Sequence, residues 1–304
     1  MTRLITHNGV FHEDDVFAAS VLLLCFPDAE IIRTRDPELI SGNTEGDIVF
    51  DVGGSYDGKT RFDHHQDASP VRPDKILYSS AGLVWNTFGV RALKQAFGIS
   101  DADLNAVENG VWRSLVDPID HMDNGVVFQK FSTYTIQNVK AFLPSWKHDG
   151  DEDILMSRFR EAVAYMTQLI RVEVRRSEKL SDNKDAEAII DRDISRSMKD
   201  SLLDALGLVE MECWLPAMKK LCDTDREFVI FPNADKTKWT LRCIPKSLKT
   251  FESRTPLPER FAGMDRDQLR KATGMADAEF FHKGRFLFVA GSRESCVDFI
   301  ERFM

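Results

Sequence analysis

The 304-residue chain is short of cysteine, of net positive charge and of long apolar runs, and each shortage excludes something. Its five cysteines, Cys25, Cys213, Cys222, Cys243 and Cys296, are odd in number, scattered and never spaced Cys-x-x-Cys. That pattern gives no disulfide framework and predicts reduced, mostly buried thiols. With 40 Lys and Arg against 49 Asp and Glu the net charge is −9. No global field therefore draws the protein to nucleic acid or anionic lipid, and a phosphorylated ligand must be met by local cations. The longest apolar run, Val16 to Phe26, is broken by Ser20 and is too short to span a bilayer. Met1 to His7 lacks the apolar core of a signal peptide, so a cytoplasmic protein with no membrane attachment is predicted. No internal repeat or low-complexity tract is present.

What the chain does contain falls into two halves of different character. Its length exceeds that at which one core usually stops growing, so two domains are expected. The first half alternates short apolar runs with helical patterns, which predicts an α/β domain with a parallel sheet and helices on both faces. Arg3 to His7 reads as a strand turning at Asn8-Gly9, and Val16 to Phe26 as a helix capped by Asp14 or Asp15. Ala29 to Thr34, Asp47 to Asp51 and Lys59 to Asp63 read as further strands. Ser79 to Phe97, with Ser80 as cap, and Asp101 to Val116 read as helices, the second stopping at Pro118. Asp151 to Arg176 has the stripe of a long amphipathic helix. The polar run Ser181 to Asp185 after it marks the domain boundary, giving domains of 1–182 and 183–304. The second half holds a β-hairpin over Phe228 to Pro245, a buried strand over Phe286 to Ser292 and a closing helix to Phe303, a smaller α+β domain.

Histidine and aspartate collect where these elements end. His7, His12, Asp14 and Asp15 fall in one strand-to-helix turn, Asp51 stands where a buried strand meets Gly53-Gly54, and Asp63, His64 and His65 close the next strand. Asp117, Asp120 and Asp123 crowd a place where a helix is expected to stop, and a helix C-terminus disfavours anions unless a cation is near. The carboxyl ends of parallel strands share one edge, so these groups should gather in one crevice. They supply more carboxylate and imidazole than one ion takes, with no cysteine beside them. This points to two divalent ions, manganese, magnesium, cobalt or zinc, rather than to a structural zinc. A bridging ligand has to be a carboxylate, because imidazole offers a metal one lone pair, and Asp51 is the candidate. Adjacent histidines rarely share an ion, which leaves His65 to donate to a substrate phosphate. Two ions that activate a water and offset phosphoryl charge make phosphoester or phosphoanhydride hydrolysis the natural reaction.

Asp63-His64-His65, preceded by His7-Asn8-Gly9, Phe11-His12-x-Asp14-Asp15 and Asp51-Val52-Gly53-Gly54, resembles the DHH phosphoesterase superfamily. Within it the chain is most similar to the family of the melanocyte proliferating gene protein. Ile32 to Pro37, Ser79 to Leu83, Asp120 with Asp123-Asn124-Gly125, Trp214-Leu215-Pro216, Cys243 to Lys246 and Ser253-Arg254-x-Pro256-Leu257-Pro258 carry the likeness through nearly the whole chain. The resemblance implies a DHH-type α/β domain, a dinuclear metal centre between two domains, manganese as the first choice of ion, and a phosphodiesterase with 3′-to-5′ RNA exonuclease activity. By motif position His7, His12, Asp14, Asp51, His64 and Asp120 would hold the metals, and Asp63 would orient His64. Asp51, Asp63 and His65 are the expected catalytic residues. Where many DHH enzymes carry a glycine-rich, histidine-containing substrate loop, this chain reads Phe288-Val289-Ala290-Gly291-Ser292-Arg293. His65, Lys246, Arg254 and Arg293 are then the expected phosphate contacts, and a short RNA or small nucleotide the expected substrate. An inorganic pyrophosphatase or nucleotide phosphatase is the rival within hydrolases, and a metal-stabilised regulatory protein without catalysis the rival outside them. Whether the protein pairs into a homodimer stays open at this level.

Overall fold

The computed structural model describes residues 2–41, 46–126, 134–148, 150–250 and 252–304. The chain divides into two compact units, Met1–Ser181 and Asp182–Met304. The first runs β1 (Arg3–Thr6), α1 (Glu13–Cys25), β2 (Glu30–Arg33), α2 (Pro37–Ser41), β3 (Asp47–Phe50), β4 (Arg61–Phe62), α3 (Ser80–Phe97), α4 (Leu104–Val111), a π-helical turn (Trp112–Val116), α5 (Asp117–Asp123), α6 (Tyr134–Gln137) and the first part of α7 (Glu152–Lys199).

Its sheet has the order β2-β1-β3-β4, with every pairing parallel. Side chains alternate across a strand, so Leu4, Ile48, Phe50 and Phe62 turn together into a core shared with α1, α3, α4, α5 and α7. Ile5 and Val49, which point to the opposite face, are buried as well but fall outside that core. Both faces of the sheet are therefore buried. α1 is buried on nearly every side, which explains why its apolar run shows no polar stripe. Ser20, the polar residue in that run, donates its hydroxyl to the Val16 carbonyl at 2.7 Å and stands 3.2 Å from the Val163 carbonyl.

Three local expectations fail for identifiable reasons. The helix reading over Asp101 to Val116 does not stop at Pro118. The π-turn comes first, with the Asp117 N–H donating to the Trp112 carbonyl, and Pro118 then sits in the first turn of α5, where a missing N–H costs nothing. The aspartates of this segment therefore lie along α5 instead of beyond a helix end. The long helix does not end at Arg176 either: α7 runs through Ser181 to Asp185 without a break, and the border between the two units falls inside it. From Ser177 to Asp200 there is no Gly or Pro, so the polarity of that run marks solvated helix faces. Finally, Ser80 is the first residue of α3 and not its cap; Ser79 holds the N-cap position.

The second unit contains the rest of α7, then α8 (Ser201–Ala205), β5 (Leu208–Glu210), α9 (Met218–Cys222), β6 (Phe228–Pro232), β7 (Trp239–Cys243), α10 (Arg266–Thr273), β8 (Ala278–Phe281), β9 (Leu287–Ala290) and α11 (Arg293–Phe303). Its sheet has the order β5-β6-β7-β9-β8 and is antiparallel except for β5 with β6. Leu208, Phe228, Ile230, Leu241 and Phe288 pack with Leu269 of α10 and Phe299 of α11 on one face. Val209 and Val229 meet Ala186 and Ile190 of α7 on the other. β6 and β7 are the expected hairpin, and β9 with α11 the expected strand and closing helix. The strand β8 and the helix α10 are not among the elements expected from the sequence. No helix among the described residues is long and apolar enough to cross a membrane.

Candidate metal centre

The four strand and helix ends of the first unit deliver their side chains to one place. His7 follows β1 directly and is buried. Its Nδ1 lies 3.0 Å from the carbonyl of Asn8, so a proton on Nδ1 leaves the Nε2 lone pair facing inward. The turn after it is clamped from β2 and the loop beyond: Arg33 donates to the Gly9 carbonyl at 2.7 Å and Arg35 to the Asn8 carbonyl. α1 opens at His12, whose backbone N–H donates to Asp15 Oδ1 at 2.9 Å, and this first turn buries Asp14 and Asp15. Asp51 ends β3 with φ +54°, a left-handed conformation that aspartate tolerates better than most residues. Gly53 follows with φ +97°, and a side chain there would meet Ile40 Cγ2 at 2.7 Å.

Around Asp51 the donor atoms form two sets, one on each carboxylate oxygen. Asp51 Oδ2 stands 3.2 Å from His7 Nε2, which is also 3.2 Å from Asp15 Oδ2. Asp51 Oδ1 stands 3.4 Å from His64 Nε2, which faces Asp123 Oδ2 at 3.5 Å and Asp14 Oδ2 at 3.8 Å. Within each group, His7 with Asp15 and Asp51, and Asp14 with His64 and Asp123, the ligand atoms lie within 4.8 Å of one another. Ser80 donates to Asp51 Oδ1 at 3.1 Å and fixes the carboxylate from α3.

The electrostatics of this cluster call for positive charge. Burial raises the pKa of Asp14, and the charges of Asp51, Asp123 and Asp15 push it further the same way. Burial likewise raises Asp15 and Asp123, against the pull of His7 on the first and His64 on the second. Burial also works against a charged His7, yet Asp15 and Asp51 outweigh it and hold the imidazole up at about 10. The reverse holds at Asp51, where burial is overcome by His64 and His7 and the carboxyl is held below its ordinary value. Asp14 Oδ2 and Asp15 Oδ2 are buried and accept no hydrogen bond of good geometry. Orphaned buried carboxylate oxygens facing imidazole nitrogens, with no cysteine among them, fit hard or borderline divalent cations.

The family model MYG1_exonuc, described as uncharacterised protein family UPF0160, matches residues 3–304 of the chain. The chain belongs to this MYG1 family. It is 29% identical to the MYG1 exonuclease of Homo sapiens over 324 residues, covering 97% of this chain and 84% of the human one. It is 31% identical to the MYG1 protein of Chlamydia trachomatis over 298 residues, covering 96% and 92%. Among solved structures it aligns over the full length of both chains with a pGpG-specific phosphodiesterase, PggH, of Vibrio cholerae, at 14% identity and a TM-score of 0.30, too low to bear on fold or activity.

In this MYG1 family member the structure sorts the sequence-derived site residues into those that meet and those that stand apart. His7, Asp14, Asp51 and His64 meet, Asp15 and Asp123 join them, and Asp63 and His65 form a further group with Asp51 and His64. His12 is exposed, with its ring centroid 6.1 Å from that of His7, and it lies in none of the ligand groups. Asp120 points elsewhere: it accepts from the Ser79 N–H at 3.0 Å, the Ser79 hydroxyl at 2.7 Å and Arg72 at 3.1 Å. Burial raises it to about 6, against the pull of Ser79 and Arg72. Asp120 and Asp123 are three residues apart on α5, a spacing that keeps both near one helix face, and only the facing groups decide which one reaches His64.

Asp63 differs from its expected part too. It binds His64 through that residue's backbone N–H at 2.7 Å, while the ring it orients is that of His65, Nδ1 to Oδ1 at 2.6 Å. Its other oxygen takes the Gly54 N–H at 2.5 Å, so the carboxylate ties two loops together. His65 is exposed, leaving Nε2 outward. In the second unit, Arg254 is committed to the carbonyls of Arg226 and Cys222 at 2.6 and 2.7 Å. Arg293 is paired with Glu210 at 2.7 Å, and Lys246 with Glu252.

Proposed function

We propose that this chain is a metal-dependent phosphodiesterase of the DHH type that removes nucleotides from short single-stranded RNA. The observation that supports it most is the division of labour at Asp51, whose two oxygens face two separate sets of nitrogen and oxygen donors. His7, Asp15 and Asp51 would hold one divalent ion; Asp14, Asp51, His64 and Asp123 would hold a second, with manganese the first choice. Bound there, such ions make water a nucleophile near neutral pH and offset charge on a phosphoryl group. The exonuclease names of the mammalian relatives favour a nucleic-acid strand, and the Asp63-His64-His65 signature favours phosphoester cleavage.

The chain's own residues supply orientation and a proton donor. The Asn8 carbonyl keeps the His7 lone pair turned inward. Asp63 fixes the His65 ring so that Nε2 faces outward, placed to donate to a phosphate oxygen as the imidazolium, whose Nδ1–H goes to Asp63. The protein's net negative charge suits a short strand, since long nucleic acid needs an extended basic track.

The test is hydrolysis by the manganese-loaded protein of an end-labelled short RNA, of mononucleotides and of pyrophosphate, with Asp51→Asn alongside. Stepwise shortening of the RNA is expected, reduced at least ~10²-fold in the variant, as for loss of a metal-site contact. Equal turnover by parent and variant, or turnover of pyrophosphate alone, would refute the reading.

A further inference from the structure

The second unit holds a cavity of about 220 Å³ that the metal chemistry leaves unused. It lies between Met218 of α9, the end of β7, the loop after it and Phe286, and Arg242 is the one charged side chain on its described wall. The other buried or half-buried arginines of the described second unit all have acceptors. Arg226 donates to Asp204, Arg254 to two carbonyls, Arg270 to Glu279, Arg285 to the Leu257 carbonyl and Arg293 to Glu210. Arg242 is half-buried and makes no hydrogen bond or ion pair with any described residue. Its guanidinium carbon lies 5.8 Å from the ring centroid of Trp214, which is 48% exposed and packs against Phe231 at 4.8 Å.

Two hydroxyls line the same cavity in a state ready to donate. Ser247 Oγ accepts the Lys249 N–H at 3.3 Å, and Thr250 Oγ1 accepts the Glu252 N–H at 3.0 Å, so each oxygen's acceptor role is in use and its O–H is free. Met218 and Phe286 complete the wall with apolar and aromatic surface. A guanidinium and two O–H donors suit the oxygens of a phosphate, and flat apolar walls beside them suit a nucleobase. We propose that this cavity binds one nucleotide of the substrate strand, its phosphate on Arg242, Ser247 and Thr250 and its base against Phe286 and Met218. The assignment takes its substrate class from the phosphodiesterase reading but needs no metal.

Calorimetric titration of the full-length protein in EDTA with AMP, ribose 5-phosphate and inorganic phosphate tests it. AMP is expected to bind at least about tenfold more tightly than the other two, and Arg242→Met to weaken AMP at least about tenfold. Arg260→Met, which removes an exposed arginine outside the cavity, should leave AMP affinity unchanged. Thr250→Val, a near-isosteric change at a half-buried loop position, should weaken AMP by about threefold or more and stands in should Arg242→Met fail to fold. No AMP binding by the parent, unchanged affinity in a folded Arg242→Met (or in Thr250→Val where Arg242→Met does not fold), or phosphate binding as tightly as AMP would each overturn the assignment. Because metal is excluded, AMP binding that depends on Arg242 would stand even if the loaded protein cleaved no RNA, and RNA cleavage with AMP affinity indifferent to Arg242 would leave only the activity standing.

Discussion

A proton and a divalent ion would compete for the same few atoms around Asp51. Without metal, His7 holds its proton to a pH of about 10 because Asp15 and Asp51 surround it. Loading at pH 8 must expel that proton, so apparent affinity should rise about tenfold per pH unit for each proton released. Calorimetry in buffers of different ionisation enthalpy would count the protons; a pH-independent affinity with none released would contradict the arrangement. The same shift sets the stability of the metal-free protein. A pKa raised in the fold contributes stability fully present below the ordinary 6.5 and lost as pH climbs through about 10. Thermal melts in EDTA should therefore fall across that window, and added manganese should reverse the fall. Asp120 and Asp123 separate by the same logic. Asp123→Asn should cost a bound ion, read by elemental analysis, with little change in the metal-free melt. Asp120→Asn should keep both ions and lose ~1–3 kcal/mol, because it disturbs a buried hydrogen-bonded group. At this scale the sequence reveals the gathering, since parallel strands must bring their ends to one edge. It does not reveal the choice between near neighbours. Asp120 is drawn to Ser79 and Arg72, more than forty positions away, and nothing local foretells that.

Close approaches between elements give the next scale its predictions. Gly82 on α3 lies against the Asp120 carboxylate: a Cβ there would sit 2.6 Å from Oδ1 and 2.7 Å from Tyr78 Cδ1. Asp120 is pinned by three hydrogen bonds and cannot swing aside, so Gly82→Ala should destabilise by ~1–3 kcal/mol. Gly110 on α4 is tighter still, with Ser177 Oγ of α7 only 1.9 Å from the position of an added Cβ. Gly110→Ala should lower the melting temperature more than Gly82→Ala, and Ser177→Gly should restore part of the loss. An unchanged melt in either glycine variant would mean that the helices are not in contact as described. Elements with compact apolar runs, β1, β3, α1 and the β6–β7 hairpin, are legible in the sequence because burial alone dictates them. The continuation past Pro118 is not, because a π-turn moves the proline to a position where it does no harm. The end of the long helix at Arg176 misleads in the other direction: polarity after it marks exposed helix faces, and the border between the units falls inside an unbroken helix.

Across the molecule the cysteines provide a check on both units at once. Burial pushes the thiols of Cys25 and Cys243 up to about 11 and that of Cys296 to about 12. Cys213 is exposed, and Cys222 is half-buried with its pKa raised by that burial. A thiol reagent at pH 8 should label one cysteine at once, a second slowly and the remaining three only after unfolding. Three or more fast thiols would show that one of the cores is looser than described. The scatter of the cysteines hints at burial, but which one is exposed depends on the turn before Trp214 and is not written in composition.

The unbroken course of α7 has a practical consequence for anyone who would divide this chain. A 48-residue helix is about 70 Å of continuous backbone ladder, and the border between Ser181 and Asp182 falls inside it. Severing it there would strand four amides on one fragment and four carbonyls on the other, each without its mate. Expressed halves would fray at the cut, and the sound place to truncate is at the ends of that helix, not at the border.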